Sequence, residues 1–302
     1  MDNFTASPLP ASNNLSPAPV LAGQNQSGAN QAWLSLRFAD DQGTTRLLDR
    51  AHYGPLRVQK ALYPEHVSIC HAIIVHPPGG VVGGDELTIK ASVGQGAHAF
   101  LTTPGAAKWY RANGKVSQQH VQLQVADAAT LEWLPQETIF FDQAEVALEH
   151  QVELEGDARY IGGEILCFGR TASGESFDSG RISQQISIRR DGKLLWFEQG
   201  VLNGGGTAMQ SRLGLTDCTV CATLIVAGKS FPASVVQQLR DLASQLSDGR
   251  ASVGATQIKS LLVLRLLGHS SELARQWMMQ AWQVIRPELL GHEAHIPRIW
   301  NT

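Results

Sequence analysis

The segment His76-Pro-Pro-Gly-Gly-Val-Val-Gly-Gly-Asp85 joins two stretches with strand character, Ile69-Cys-His-Ala-Ile-Ile-Val75 and Leu87-Thr-Ile-Lys-Ala91. Two prolines remove backbone donors and fix φ, while four glycines permit positive φ and close backbone approach. The segment lacks the Gly-Lys-Ser/Thr end of a phosphate loop and the Gly-x-Gly-x-x-Gly spacing of a dinucleotide site. We therefore predict a constrained strand-to-strand connection that ends at Asp85, whose side chain shares the inward phase of Leu87.

Outward from this segment, hydrophobic residues recur with a period of two from Trp33 to Ala227. In residues 121–125, for example, valine and leucine alternate with glutamine. Clusters of turn-forming residues such as Gly94-Gln95-Gly96 and Asp191-Gly192 divide the chain at short intervals. This pattern is typical of many short, mostly antiparallel strands.

The chain also contains a weak internal sequence similarity. Similar strand starts follow a turn at Gly96-Ala97-His98, Ala128-Ala129-Thr130 and Asp157-Ala158-Arg159, spaced by about thirty residues. Evenly spaced self-similarity indicates stacked layers, as in a solenoid. Three weak copies do not establish a repeat, so an elongated, layered β architecture is a working hypothesis.

The period changes in the C-terminal quarter. After Phe231-Pro232, apolar residues follow helical spacing until Asp248-Gly249, and a second helical pattern starts at Ser270-Ser271-Glu272. We expect Pro287 to end or kink this second helix. The sequence thus predicts a mainly β fold: a layered or helix-like stack of short, mostly antiparallel strands with two α-helices in the C-terminal region.

Composition excludes several classes of function. The 302 residues carry a net charge of −3, and Lys and Arg are scattered, which argues against a nucleic-acid partner. No apolar run approaches the roughly 20 residues of a membrane span, so no membrane association is expected. Four cysteines in a chain of this length do not make a disulfide framework. We expect a cytoplasmic protein.

The first thirty residues differ from the rest of the chain. They are rich in Pro, Ser, Asn, Ala and Gln, and no Lys or Arg precedes Arg37. They therefore lack the basic start of a signal peptide and the arginines of a mitochondrial presequence. We predict a disordered tail over residues 1–30 and a single β-rich domain over residues 31–302.

Four carboxylates stand in apolar surroundings: Asp85, Glu137, Glu164 and Glu198. Glu164 is the clearest case, because the strand Ile161-Gly-Gly-Glu-Ile-Leu-Cys-Phe168 is otherwise apolar and an unpaired buried carboxylate is costly. Taken singly, each acid is more often a satisfied structural residue. Together they indicate a polar path through a β core or paired acids for catalysis.

Other polar residues have ordinary structural explanations. His71 and His150 lie in the apolar register of their strands and are predicted to be hydrogen-bonded core histidines. Cys218-Thr-Val-Cys221 has the C-x-x-C form, but strand geometry sends residues three apart to opposite faces, so we interpret it as structural. His292 and His295 are expected in a loop.

Two segments carry surface chemistry. Lys108-Trp-Tyr-Arg111 combines aromatic and cationic groups, which suit a protein interface, although a lysine that guards a strand edge would look the same. The closing segment contains Arg298 and Trp300. An apolar tail of this kind is expected to dock on the body of the protein or on a partner.

Several uncommon motifs occur together in one order: the 76–85 segment, Leu101-Thr-Thr-Pro-Gly-Ala-Ala-Lys-Trp-Tyr-Arg111, Trp133-Leu-Pro-Gln-Glu137 and Pro297-Arg-Ile-Trp300. From about Trp33 onward the chain resembles the UreD (UreH) family of urease accessory proteins. Trp109 stands where many relatives carry Phe, and Glu164 where some carry Asp.

The resemblance implies a nickel-insertion scaffold and not an enzyme. Members of this family bind apo-urease and recruit UreF, which in turn docks the GTPase UreG. They are thought to pass Ni²⁺ through an internal tunnel, with no tightly bound cofactor. The matching acids are Asp85, Glu164 and Glu198. Other matching positions are path or interface candidates: Lys108, Trp109, Tyr110, Arg111, Glu137, Arg298 and Trp300.

Two alternatives remain open at this point. A carbohydrate-active β-solenoid hydrolase would need two carboxylates roughly 5–10 Å apart in an open cleft. A binding module without metal traffic would need only the surface motifs and the C-terminal tail.

Overall fold

The structure is a computed structural model that describes residues 30–247 and 249–301, and for 243–247 only the backbone. The predicted tail over residues 1–30 lies outside the described residues apart from Asn30. The strands are β1 (Gln31–Asp41), β2 (Thr44–Tyr53), β3 (Arg57–Leu62), β4 (Ile69–Val75), β5 (Glu86–Val93), β6 (His98–Thr102), β7 (Ala107–Trp109), β8 (Ser117–Val125), β9 (Thr130–Trp133), β10 (Thr138–Phe140), β11 (Glu145–Leu154), β12 (Arg159–Phe168), β13 (Arg181–Arg190), β14 (Lys193–Asn203), β15 (Val220–Ala227), β16 (Ala251–Ile258) and β17 (Leu261–Gly268). The α-helices are α1 (Thr207–Gln210), α2 (Ala233–Ser247) and α3 (Ser271–Leu290), with 3₁₀ turns at Thr171–Ser173 and Arg298–Asn301.

The strands form two sheets that the chain visits in turn. The seven-stranded sheet has the order β14-β13-β11-β8-β5-β1-β2, and the ten-stranded sheet runs β16-β17-β15-β12-β9-β6-β4-β3, with β7 and β10 attached. From β4 to β13 the chain crosses between the sheets, and it returns each time beside the strand it left one turn earlier. The result is a solenoid-like stack, as predicted from the two-residue period of the hydrophobic residues and from the weak internal sequence similarity.

Strand pairing is mixed, so the prediction of mostly antiparallel pairing is not confirmed. The pairs within the coil, such as β5 with β8 and β6 with β9, are parallel. The hairpins at the ends, such as β1 with β2 and β16 with β17, are antiparallel. The reason is geometric, since a coil enters each layer in the same direction on every turn. Alternation along a strand reports a half-buried face and not the direction of the neighbouring strand.

The weak internal sequence similarity corresponds to a structural repeat. The three strand starts lie side by side, and Ala97, Ala129 and Ala158 are almost fully buried. The amide of Thr130 donates to the carbonyl of Ala97, and the amide of Arg159 donates to that of Ala129, each at 2.9 Å. The same small, buried residue thus recurs at this level of three successive turns.

The core divides into two clusters on the two faces of the ten-stranded sheet. One fills the space between the sheets and includes Phe38, Leu123 and Leu131. The other lies between the ten-stranded sheet and the helices α2 and α3, and it includes Trp277 and Trp282. The described chain is therefore built in three layers, sheet on sheet on helices.

Both predicted C-terminal helices are present, and α1 is a single additional turn. The side chain of Ser270 caps α3 by accepting from the amide of Leu273 at 3.2 Å. Pro287 does not end this helix, which continues to Leu290 and stops at Gly291 in the left-handed region (φ 75°). Buried apolar residues beyond the proline hold the last turn in place. No helix of the described residues has the length and apolar character needed to cross a membrane.

Candidate functional site

A row of three polar residues crosses the ten-stranded sheet on the face that meets the other sheet. Glu164 of β12 is paired with Thr223 of β15, which is paired with Arg265 of β17. The alternation of each strand directs these side chains into the space between the sheets. The row therefore places a carboxylate, a hydroxyl and a guanidinium inside an otherwise apolar layer.

The seven-stranded sheet supplies the partners of this row. Gln184 of β13 donates from Nε2 to Oε2 of Glu164 at 2.6 Å. Arg265 donates from Nη2 to both carboxylate oxygens of Glu198 on β14, at 2.9 and 2.8 Å, and from Nε to Oγ1 of Thr223 at 3.3 Å. We call Glu164, Gln184, Glu198, Thr223 and Arg265 the interlayer cluster. It contains two of the four acids that the sequence singled out, Glu164 and Glu198, and links them through side chains from both sheets.

Two cavities meet at the interlayer cluster. The inner cavity has a volume of about 50 Å³ and is lined by Trp133, His150 and Tyr160. The outer cavity has a volume of about 320 Å³, and Glu198 and Arg265 are among the residues that line it. Glu164 and Thr223 line both cavities. Glu164 thus stands at the junction between the inner and the outer space.

Burial perturbs the ionisable groups of this region. It raises the pKa of Glu164 to about 7, with a further upward contribution from the Glu198 carboxylate, although hydrogen bonding from Gln184 opposes the rise. Burial also raises the pKa of the Cys221 thiol, which lines the outer cavity, to about 11. At neutral pH the Cys221 thiol therefore stays protonated, whereas Glu164 is divided between its protonated and its ionised form.

The inner cavity ends at a histidine–tyrosine pair. Nε2 of His150 lies 3.0 Å from the hydroxyl of Tyr160. Burial lowers the pKa of His150 to about 4 and raises the pKa of the Tyr160 phenol. The prediction of a hydrogen-bonded core histidine is confirmed here, and also at His71, whose Nε2 lies 2.7 Å from Oε1 of Glu65.

The structure does not bring Asp85 to the interlayer cluster. Its carboxylate accepts from the amide of Val82 at 3.1 Å and from the amide of Asn30 at 3.3 Å, so it caps the turn before β5. Between β5 and the strand β14 that carries Glu198 lie four strand spacings of about 4.8 Å each. Asp85 instead lines a separate cavity beside His76.

The 108–111 motif is only partly at the surface. Trp109 is fully buried in the interlayer core, and its Nε1 has no hydrogen-bond partner among the described residues. The hydroxyl of Tyr110 donates to the carbonyl of Gly79 at 3.0 Å. Lys108 and Arg111 are exposed. Trp109 is therefore not part of an exposed surface, because the inward phase of β7 places the indole in the core.

Glu137 and Trp300 lie near the helix face of the ten-stranded sheet. Glu137 is buried, and its Oε1 is 3.7 Å from Nε of Arg275 on α3. Trp300 donates from Nε1 to Oγ1 of Thr102 at 2.8 Å and packs against Trp282, with ring centroids 6.0 Å apart. The closing segment thus docks on the body of the protein, and Arg298 beside it is exposed.

Two arginines that hold acidic side chains are not among the residues predicted from the sequence. Arg265 was not singled out, although an arginine among the apolar residues of β17 is itself a signal of a buried partner. Arg286 was also missed. It is fully buried in α3, where it contacts Glu132 and Glu65 and donates to the carbonyl of Glu293.

No group of three or more His, Cys, Asp or Glu side chains in the described part of the chain is placed to hold a metal ion. The interlayer cluster offers two carboxylates and an amide oxygen, which suit hard or borderline divalent cations. It also includes a guanidinium that occupies one of the two carboxylates. The fold and this site define a class of protein: a layered β scaffold with an internal, carboxylate-lined cavity.

Comparison with known proteins narrows this class to one family. The family described as UreD urease accessory protein matches residues 30–301. The chain is 66% identical to the urease accessory protein UreD of Janthinobacterium sp. (strain Marseille) over 273 residues, which is 90% of this chain and 92% of that protein. It is 54% identical to the UreD protein of Nitrosospira multiformis over 272 residues, covering 90% and 98% of the two chains.

A third relative, the UreD protein of Pseudomonas fluorescens (strain Pf0-1), is 48% identical over 271 residues, which is 90% of this chain and 95% of that protein. The chain belongs to the UreD family of urease accessory proteins. It is therefore a urease maturation factor that acts in nickel metallocentre assembly, and not an enzyme. The hydrolase alternative finds no support.

Proposed function

We propose that this protein is a scaffold that binds apo-urease, recruits UreF and through it the GTPase UreG, and conducts Ni²⁺ between its two sheets to the urease active site. Urease maturation follows from the family. The partners and the internal path are the proposed part. The observation that carries the path is the pair of cavities that share Glu164 and Thr223.

The chemistry of the interlayer cluster suits an ion in transit. Thiolate and imidazole ligands hold Ni²⁺ tightly, whereas carboxylate and amide oxygens hold it more weakly and release it. Glu198 supplies negative charge along the cavity wall and Glu164 adds to it in its ionised form, which makes partial desolvation of a cation tolerable. We propose that these two acids contact Ni²⁺ in succession. Asp85 is not assigned to this path, because its carboxylate caps the turn before β5.

The remaining candidates suit partner contacts. Lys108 and Arg111 are exposed next to the 76–85 segment. They present cationic groups on a rigid support, because strand β7 and the 76–85 segment hold each other by backbone hydrogen bonds. Arg298 lies at the surface beside the docked Trp300. We propose these positions as contacts to UreF or apo-urease.

The path is tested by urease activation in a heterologous host that carries the urease structural and accessory genes, with this gene as the only source of UreD. Glu164→Gln and Glu198→Gln should each lower the nickel content and activity of urease several-fold, because the amide keeps the shape and removes the charge. Co-purification with UreF and apo-urease should be unchanged.

The matched control is Glu153→Gln, on the outer face of the seven-stranded sheet, where the carboxylate is largely exposed. This variant should activate urease normally. Full activation by the Glu164→Gln/Glu198→Gln double variant would contradict the Ni²⁺ path but not the scaffold role. Failure of the wild-type protein to co-purify with UreF and apo-urease would contradict the scaffold role.

A further inference from the structure

Arg265 and Glu198 span the outer cavity from opposite sheets. Arg265 projects from β17 of the ten-stranded sheet and Glu198 from β14, an edge strand of the seven-stranded sheet. Nη2 of Arg265 contacts both carboxylate oxygens, at 2.9 and 2.8 Å. The carboxylate that the proposed path needs is therefore already occupied by a resident cation.

The ion pair is anchored more firmly on the arginine side. Nε of Arg265 donates to Thr223, and its strand is paired on both sides, with β15 and β16. Glu198 lies on an edge strand that is paired only with β13. The side chains of both residues remain partly exposed, 38% for Arg265 and 30% for Glu198. Water and small cations can therefore reach the pair from the outer cavity.

We infer that Arg265 gates the outer cavity against divalent cations by holding Glu198, and that a cation binds there only when Glu198 exchanges the guanidinium for the metal. This inference rests on the proposed conduit and adds a residue to it. A guanidinium stays charged at all working pH values and repels a divalent ion. It also lowers the affinity of the site, since the incoming ion must displace a bidentate partner.

The contact between Arg265 and Glu198 prevents the outer cavity from binding a divalent cation too tightly to release it. Without Arg265, the Glu198 carboxylate would lose its guanidinium partner and would be free to retain a divalent cation. With Arg265, binding is a competition, and the guanidinium can return to Glu198 when the ion moves on. Arg265 thus acts through Glu198 as a positioning residue and need not contact the ion.

Direct nickel binding to the purified full chain tests the gate. The probe is NiCl₂ in competition with a chromophoric chelator at pH 7.5, with circular dichroism as the check of folding. Arg265→Met should bind Ni²⁺ at least ten-fold more tightly than the wild type. The double variant Arg265→Met/Glu198→Gln should return to the wild-type affinity, because the gain requires the freed carboxylate. A purely structural role of Arg265 would produce no Glu198-dependent gain.

Arg37→Met is the control, since it removes an arginine from the exposed ion pair with Asp49 and should leave nickel affinity unchanged. A folded Arg265→Met protein with unchanged or weaker affinity would overturn the gate. If that variant does not fold, Arg265→Lys decides. Lysine keeps the positive charge but cannot make the bidentate contact, so we expect this variant to bind Ni²⁺ about three-fold more tightly than the wild type. An unchanged affinity would overturn the inference. Because the readout is binding, the gate is judged separately from the urease-activation test of the conduit.

Discussion

A Cβ atom at Gly80 would lie 2.6 Å from Cε2 of Tyr110. The same atom would lie 2.7 Å from the carbonyl oxygen of Lys108. Backbone hydrogen bonds join the two segments directly: the amide of Val81 donates to Lys108 at 2.8 Å, and the amide of Tyr110 donates to Val81 at 2.9 Å. The glycine-rich segment and the Lys-Trp-Tyr-Arg motif are therefore each other's packing partners, and a glycine is needed at position 80 for this close approach.

Gly80→Ala should destabilise the protein by roughly 1–3 kcal/mol, because the added methyl group overpacks a contact with backbone and ring atoms. The measurement is urea denaturation followed by tryptophan fluorescence. In a Tyr110→Ala background the same substitution should cost less, since one of its two clashes is gone.

Gly105→Ala is the matched control for this change. A Cβ atom at Gly105 would meet nothing within 4 Å, so its effect should stay within about 0.5 kcal/mol. Equal losses at Gly80 and Gly105 would show that the close approach to Tyr110 has no energetic weight.

The buried network around Arg286 predicts a second stability effect. Arg286 is fully buried, with Nη1 2.6 Å from Glu65 and Nη2 3.1 Å from Glu132. Arg286→Met should lower the free energy of unfolding by roughly 3–5 kcal/mol, because two buried carboxylates lose their cation. Differential scanning calorimetry measures the loss.

Adding Glu132→Gln to Arg286→Met should recover part of this stability, since it removes one uncompensated charge. Arg37→Met, at an exposed pair with Asp49, should change stability by less than about 1 kcal/mol. If both arginine substitutions cost the same, the buried network would not be what holds α3 on the sheet.

Much of the fold could be predicted from the sequence, and the error in pairing direction has a physical source. The period of two reports which face of a strand is buried, so the β class and the two helices were predicted correctly. The same period is produced by parallel and antiparallel neighbours. The distinguishing signal was the repeated start at Ala97, Ala129 and Ala158, which three weak copies left ambiguous.

The candidate site was predictable in part. Glu164 and Glu198 stood out as acids in apolar strands, and the structure joins them in one cluster. Their cation Arg265 lies 67 positions beyond Glu198, and no local pattern connects residues on different sheets. The burial of Trp109 could not be predicted, because an aromatic residue beside lysine and arginine looks the same in sequence whether it faces solvent or the core.

The burial of His150 should make the stability of the protein depend on pH. Burial lowers its pKa from 6.5 to about 4. Between these values the unfolded chain takes up a proton that the folded protein excludes, so the free energy of unfolding falls as pH drops from 6.5 to 4 and this contribution levels off below 4. The total is about 3 kcal/mol.

His150→Gln should therefore flatten the stability curve between pH 4 and 6.5, as measured by chemical denaturation at several pH values. At pH 8 the histidine is neutral in both states, so the difference between the two proteins there isolates the contact with Tyr160. A wild-type and a variant curve that stay parallel down to pH 4 would contradict the burial of His150.

The docking of Trp300 predicts how the C-terminal segment contributes. Its indole donates to Thr102 and packs on Phe100 and Trp282, with ring centroids 6.1 and 6.0 Å away. Trp300→Phe keeps the ring packing and loses one hydrogen bond, so it should cost about 1 kcal/mol of stability. Trp300→Ala also loses the apolar contact and should cost about 2 kcal/mol or more. Thermal unfolding of the two variants beside exposed Arg298→Ala separates packing from surface effects. A Trp300→Ala protein with wild-type stability that no longer co-purifies with UreF or apo-urease would instead assign this side chain to a partner surface.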